Sequence, residues 1–193
     1  MAVQKKHVTR WRRSQRFISS ISTPKAWVHL LKLINFYNYA HVQPMRWLQR
    51  GSDCAISPTA TFSYGERITI GARVLIGEDC RLWAGPSEGR VIIGDDAMLG
   101  PGVLITAASY RFNDGAPIRR QIVNEADVVI GSDVWIGARV TILPGTVIGD
   151  GCVVGAGSVV RDSTPPMNVI AGVPARIVGQ RILHSDIRLE SIS

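Results

Sequence analysis

From Val128 to Val160 the chain reads VVIGSD VWIGAR VTILPG TVIGDG CVVGAG SVV, and an aliphatic residue returns at every sixth position: Ile130, Ile136, Ile142, Ile148, Val154 and Val160. The following column is mostly glycine (Gly131, Gly137, Gly149, Gly155), with Leu143 and Arg161 as exceptions. A period of six is neither the 3.6-residue helix period nor strand alternation, so it marks an internal repeat. One six-residue block cannot bury its apolar side chain alone; stacked blocks can, which predicts a solenoid of short strands with the aliphatic column inside. The small residue beside it lets the chain turn without a side chain in the way. The expected class is an all-β solenoid, a parallel β-helix.

The same phase runs earlier through Ile70, Ile76 and Leu82, then after eleven residues through Ile93, Leu99 and Ile105. Gly85-Pro86-Ser87-Glu88-Gly89 must therefore bulge from a corner. The next residue in phase is Ile130, and the intervening loop 106–127 is too long and too polar for a corner. A long excursion held by a rigid scaffold is where binding and chemistry concentrate, so the site is expected there. The repeat decays after Val160 into Thr164-Pro165-Pro166, and AGVPAR at 171–176 closes the stack. The resulting division is a β-helix over 51–176 and a tail over 177–193, the tail read as a short helix.

Ahead of the repeat the pattern changes. Thr23-Pro24 has the form of a helix start, and Trp27, Leu30, Leu31, Ile34 and Tyr37 follow at helical spacing, giving an amphipathic segment within 24–50. Lys32 interrupts the apolar run, which falls short of the ~18 residues of a spanning helix. Residues 1–23 are read as a basic flexible arm in which Trp11 and Phe17 stand among arginines. Arg10, Arg12, Arg13 and Arg16 break any signal-peptide-like apolar core.

The net charge of +7 is unevenly placed: residues 1–50 hold ten Lys/Arg and no Asp or Glu, leaving twelve basic against fifteen acidic residues in the rest. The helix is expected to pack on the end of the solenoid; peripheral contact of residues 1–40 with an anionic membrane surface is the other reading, which the basic arm strengthens. Nucleic acid is the weaker alternative, because no reader domain accompanies the basic stretch. Three cysteines, an odd number, argue against a disulfide framework and for a reducing compartment. Cys80 and Cys152 fall in an apolar column and are read as core residues. No Cys/His cluster has metal spacing.

The run VWIGARVTILPGTVIGDGCVVGAGSVV and the closing PP…AGVPAR resemble the hexapeptide-repeat acyltransferases, left-handed β-helix enzymes. Within them they are most similar to maltose and galactoside acetyltransferases and to O-acetyltransferases of surface polysaccharides. The resemblance spans roughly residues 56–180. It implies a homotrimer with active sites between subunits, acetyl-CoA as acyl donor and no metal. It also implies a sugar hydroxyl or amine as acceptor, in surface polysaccharide or lipopolysaccharide biosynthesis. The expected location is cytoplasmic, with the arm holding the protein at the inner face of the membrane near lipid-linked intermediates.

Carried over residue by residue, the resemblance places Trp135 against the pantetheine arm and the backbone of Gly137, Ala138 and Ala156 along it. Arg161 and Arg176 fall near the nucleotide, where a planar guanidinium can bind two phosphate oxygens together. The family often has Thr-Lys where this chain has Arg161-Asp162. Ser63, Trp83 and Arg111 are expected on the acceptor side.

The excursion loop of the family carries a histidine; here the position is Tyr110, in SYRFND, with Phe112, Asp114 and Pro117-Ile118 keeping the surrounding pattern. A sugar hydroxyl attacking a thioester benefits from a positioned base, and a tyrosine with pKa near ~10 is only about 0.1% phenolate at pH 7. Three readings stay open. The acceptor is an amine that brings its own lone pair; another group, Asp114 or a histidine of a neighbouring subunit, is the base; or the protein binds without catalysing. Tyr110 and Asp114 are the catalytic candidates. His7, His29, His41 and His184 all lie outside the repeat and are read as surface or packing residues.

Overall fold

The structure is a computed structural model and describes residues 10–182. His7, His184, the first nine residues of the basic arm and most of the tail lie outside the described residues. The chain divides into two units, 1–39 and 40–193, taken separately below.

In the first unit, Arg10–Ser22 forms helix α1 and Pro24–Tyr37 forms helix α2. Residues 10–22 are thus helical where a flexible arm was expected. Proline is tolerated at the start of α2 because an N–H at that position has no intrahelical acceptor in any case. The elbow between the helices is tied by side chains: Trp27 Nε1 donates to the Ile21 carbonyl at 2.6 Å, and the Thr23 hydroxyl to that of Ser19 at 2.6 Å. These are carbonyls of the last turn of α1, which lack intrahelical partners.

The second unit is a parallel β-solenoid of about five turns. Each coil contributes one short strand to each of three sheets, here A, B and C in the order the chain meets them. The first coil supplies Gln49–Arg50, Ala55–Ile56 and Thr61–Ser63. The second supplies Ile68–Ile70, Leu75–Ile76 and Arg81–Trp83, and the third Val91–Ile93, Met98–Leu99 and Leu104–Thr106. The fourth supplies Val128–Ile130, Trp135–Ile136 and Thr141–Ile142, and the fifth Val147–Ile148, Val153–Val154 and Val159–Val160.

The six-residue column becomes three vertical ladders. Ile70, Ile93, Ile130 and Ile148 pair in sheet A. Ile76, Leu99, Ile136 and Val154 pair in sheet B, and Phe62, Leu82, Ile105, Ile142 and Val160 in sheet C. All are buried, as are Cys80 and Cys152. The two thiols donate to the carbonyls of Gly100 and Pro165 at 3.2 and 3.1 Å, and burial raises both above the usual cysteine value.

The glycine column has a different cause from the turn geometry expected of it. Left-handed backbone occurs instead two residues later, at Arg73, Asp96 and Asp133 after sheet A and at Asp79 and Arg139 after sheet B. What excludes a side chain at the glycines is the coil above: a Cβ on Gly137 would stand 2.6 Å from the Ala156 nitrogen, and one on Gly131 2.7 Å from that of Asp150.

Both ends of the stack are covered. On the first coil, the short helix Pro44–Trp47 places Met45 and Leu48 against the core, and His41 packs on the Phe62 ring while its Nδ1 lies 2.6 Å from the Ala60 carbonyl. At the other end, Asn168–Gly172 extends sheet B and turns back into the antiparallel strand Ala175–Gln180. Residues 177–180 are therefore strand, paired Ile177 to Ile170, where a helical tail was expected.

Gly137→Ala should lower the unfolding free energy by about 1–3 kcal/mol, the usual cost of forcing an atom into a packed interior. Gly179→Ala, with nothing within 4 Å of the added carbon, should change it by less than ~0.5 kcal/mol. Urea titration of both variants against the parent checks the contrast.

Candidate active site

Loop 106–127 leaves the solenoid where the third coil passes from sheet C to sheet A, and it is more ordered than its polar sequence indicates. Ala108–Tyr110 and Val123–Glu125 form an antiparallel hairpin, with Ser109 opposite Asn124 and Tyr110 opposite Val123. Arg111 donates from Nε to the Asn124 side-chain oxygen at 3.2 Å. At the tip, buried Gln121 donates to the Ala116 carbonyl at 2.5 Å and accepts from the Asp114 N–H at 3.3 Å. That amide fixes the turn carrying Asp114. Tyr110, Arg111, Phe112 and Asp114 line one open hollow with Ser109 and Asn124.

The root of the hairpin is anchored by two carboxylates. Glu125 accepts from three successive backbone N–H groups of the 85–89 bulge: Gly89 and Glu88 at 2.7 Å and Ser87 at 3.1 Å. These bonds, with Gly89 first, hold its carboxyl below the ordinary glutamate value of 4.5. Asp127 accepts from Arg90 Nη2 at 2.7 Å and from the Arg90 backbone at 2.8 Å; the side-chain bond is the main cause of its depressed pKa. The bulge and the excursion, read separately in the sequence, are one stacked assembly.

The remaining candidates fall into two groups on the prism. Ser63, Trp83 and Thr106 are directly paired on sheet C, with Trp83 two-fifths exposed, and the Trp83 carbonyl accepts from the Ala107 N–H at 2.8 Å. Above them, on the same C-to-A edge, Leu143, Pro144 and Arg161 share a groove with Ser109 and Asn124. This edge gathers Ser63, Trp83, the hairpin and Arg161.

Trp135 lies elsewhere. It projects from sheet B, more than half exposed, between Met98 and Val153, and the corner from sheet B to sheet C stacks Gly137-Ala138 on Gly155-Ala156. The outer face of sheet C separates this corner from the hairpin edge within one chain. Arg176, on the closing strand, bonds Asp162 at 2.9 Å, and the same carboxylate lies 3.7 Å from Arg161. The two arginines assigned to the nucleotide thus meet on Asp162, which sequence reasoning registered only as a departure from Thr-Lys. Glu125 and Asn124 were missed outright; only their position at the return of the loop hinted at them.

The profile of the bacterial transferase hexapeptide (six repeats) matches residues 127–162, and that of the hexapeptide repeat of succinyl-transferase matches residues 67–107. Hexapeptide-repeat models thus match the solenoid on both sides of the excursion loop. Among solved structures it is similar to a maltose O-acetyltransferase from Clostridium difficile 630, at 29% identity over 80% of this chain and 86% of that one, TM-score 0.66. A hexapeptide-repeat acetyltransferase from Vibrio cholerae matches at 27% identity over 72% and 78%, TM-score 0.64. A point mutant of an N-acyltransferase from Bacillus cereus, in complex with dTDP-4-amino-4,6-dideoxyglucose and coenzyme A, matches at 25% identity over 74% and 88%, TM-score 0.60. No curated protein matches the chain in sequence.

Two carboxylates at the root of the hairpin, Glu125 and Asp127, are committed to structure. Among the described residues no group of three His, Cys, Asp or Glu is placed to hold a metal ion. The sign of the Glu125 effect follows from its depressed pKa. Its anchoring is complete above the unfolded glutamate pKa and is lost as pH falls through the lower folded value. Amide exchange at Ser87–Gly89 should therefore accelerate, relative to solvent-exposed amides, as pH drops below the usual glutamate range. Glu125→Gln should abolish that pH dependence and leave the three amides less protected at pH 7.

Proposed function

We propose that the protein transfers an acyl group, acetyl in the simplest case, from coenzyme A to a sugar nucleophile carried on a polysaccharide precursor. The observation that carries this reading is the hairpin that gathers Tyr110, Arg111 and Asp114 in one hollow, rooted on the same edge of the solenoid as Trp83 and Ser63. It stands on a repeat whose solved neighbours are sugar O- and N-acyltransferases, with coenzyme A in the latter.

The pantetheine is assigned to the other edge. Trp135 flanks it and the Gly137-Ala138 and Gly155-Ala156 backbone runs along it, while Arg176, together with Arg161 at the closing end of the hairpin edge, takes phosphates. Because the acceptor edge and the Trp135 corner are separated by sheet C in one chain, the complete site is assigned to the junction of two subunits of a homotrimer. Exposed Phe112, Ile118 and Ile122 on the hairpin support that assignment, since a catalytic loop facing only water has no use for three such side chains.

The acceptor nucleophile is assigned as an amine. A neutral sugar amine attacks the thioester carbonyl with its own lone pair, the tetrahedral oxyanion collapses, the sulfur leaves as thiolate, and the nitrogen's extra proton balances it. No histidine is required. Asp114, whose carboxylate is not committed to the root of the hairpin, takes the proton released by the amine and passes it to the departing thiolate, and Tyr110 orients the acceptor through its hydroxyl. The competing reading, a solenoid that binds but does not catalyse, is favoured by Tyr110 standing where the family carries histidine.

Thiol release from acetyl-CoA, measured with panels of neutral and amino sugars, separates the two. Turnover with amino sugars alone is expected, with kcat falling at least tenfold in Asp114→Asn; activity confined to Tyr110→His would establish the binding reading. A second expectation concerns the donor: Arg176→Ala should raise KM for acetyl-CoA about tenfold, the loss of one charge-assisted contact of 1.5–3 kcal/mol. With a donor lacking the 3′-phosphate, the parent and this variant should differ little.

A further inference from the structure

The residues that line the site above all belong to the second unit. The two helices of the first unit carry exposed apolar side chains in quantity: Trp11, Phe17, Ile18 and Ile21 on α1, and Trp27, Leu30, Leu31, Leu33, Ile34, Phe36 and Tyr37 on α2, with none of the α2 residues buried. On α2 the polar residues Lys25, His29, Lys32 and Asn35 form one narrow stripe at spacings of three and four, and apolar residues occupy most of the remaining circumference. A helix of that kind is not stable against water. Among the described residues no helix is long and apolar enough to cross a membrane, so an apolar phase must be met from one side.

Helix α1 supplies the complementary chemistry. Arg12, Gln15, Arg16, Ser19 and Ser20 fall on one face and, with Thr23, line a continuous open groove. The groove offers two guanidinium groups and a row of hydroxyls, and residues 1–50 contain no Asp or Glu to neutralise them. That donor set fits phosphate oxygens. The elbow fixed by Trp27 and Thr23 holds the cationic groove of α1 at a set angle to the apolar arc of α2. We propose that helices α1 and α2 form an interfacial anchor for an anionic phospholipid bilayer. The apolar arc of α2 and the Trp11, Ile18 and Ile21 side of α1 enter the acyl boundary, and the Arg12–Arg16 groove receives lipid phosphate.

The anchor is independent of acyl transfer, and its test does not use activity. The full chain is sedimented with vesicles of pure phosphatidylcholine and with vesicles holding 30% phosphatidylglycerol, an arbitrary fraction of about the usual size for such assays. Binding to the anionic vesicles, weakened by salt, is expected, together with quenching of tryptophan fluorescence by brominated acyl chains. Arg12→Gln with Arg16→Gln should lower the partition coefficient about thirtyfold. Leu30→Ser with Ile34→Ser should abolish quenching while the solenoid keeps its melting temperature. Equal binding to neutral and anionic vesicles, or none to either, overturns the proposal. So does a change of oligomeric state in the Leu30/Ile34 variant, which would make the apolar arc an interface between copies. Salt-sensitive binding to single-stranded RNA in preference to the anionic vesicles, lost in the Arg12/Arg16 variant, would reassign the groove to nucleic acid and also overturn it.

Discussion

The backbone hydrogen bond from one coil to the next governs the solenoid. The N–H of Gly71 donates to Ile93, that of Gly94 to Ile130 and that of Gly131 to Ile148, each at 2.8 Å. Such a ladder holds only if successive coils follow the same path, and that one requirement sets most of the sequence. The aliphatic residue recurs because its predecessor lies directly beneath it, and glycine recurs because the neighbouring backbone occupies the space a Cβ would need. Left-handed corners fall to Asp, Arg or Gly because the path demands the bend there whatever residue is present.

An identical path also restricts where chain can be added. Both insertions leave the stack at the edge between sheets C and A, the 85–89 bulge from the second coil and the hairpin from the third, and each returns to the ladder in register. Stacked on consecutive coils, they meet, and Glu125 joins them by taking the three bulge amides. The same edge in the fourth coil is closed by Leu143-Pro144-Gly145 and in the fifth by Arg161. The hairpin therefore stands over a short apolar and cationic floor. A rigid stack with one permissive edge concentrates variable side chains in one place, which is why the candidate chemistry collects there.

The repeat, its inward column and the buried cysteines were legible because periodicity reports directly on what a stack must bury. The hairpin was not: its strands pair with each other, outside the ladder, and the alternation over three residues on each side is too short to register as a pattern. The anchoring carboxylates were invisible for a related reason. Glu125 bonds backbone groups 36 to 38 residues away, and backbone partners leave no mark on residue identity. The helical state of residues 10–22 was obscured by the density of arginine, although Trp11, Ile18 and Ile21 already stood at helical spacing. The strand at 175–180 was hidden because its residues after Ala175 are exposed and carry no inward-facing column.

Asp162 poses a sharper question, because a carboxylate between two arginines opposes phosphate binding by its charge. The pairs are largely exposed, with side-chain accessibilities near 57–60%, and exposed ion pairs contribute only ~0–1 kcal/mol. A phosphate carrying close to two negative charges competes easily with a single carboxylate held on those terms. Arg176 also donates to the Ala175 carbonyl at 2.8 Å. Ordering a long side chain costs ~2 kcal/mol of rotamer entropy, more than the exposed pair contributes. The exposed pair with Asp162 is thus too weak to fix Arg176 and equally too weak to exclude a phosphate, and the departure from Thr-Lys at this point is compatible with the donor assigned to it.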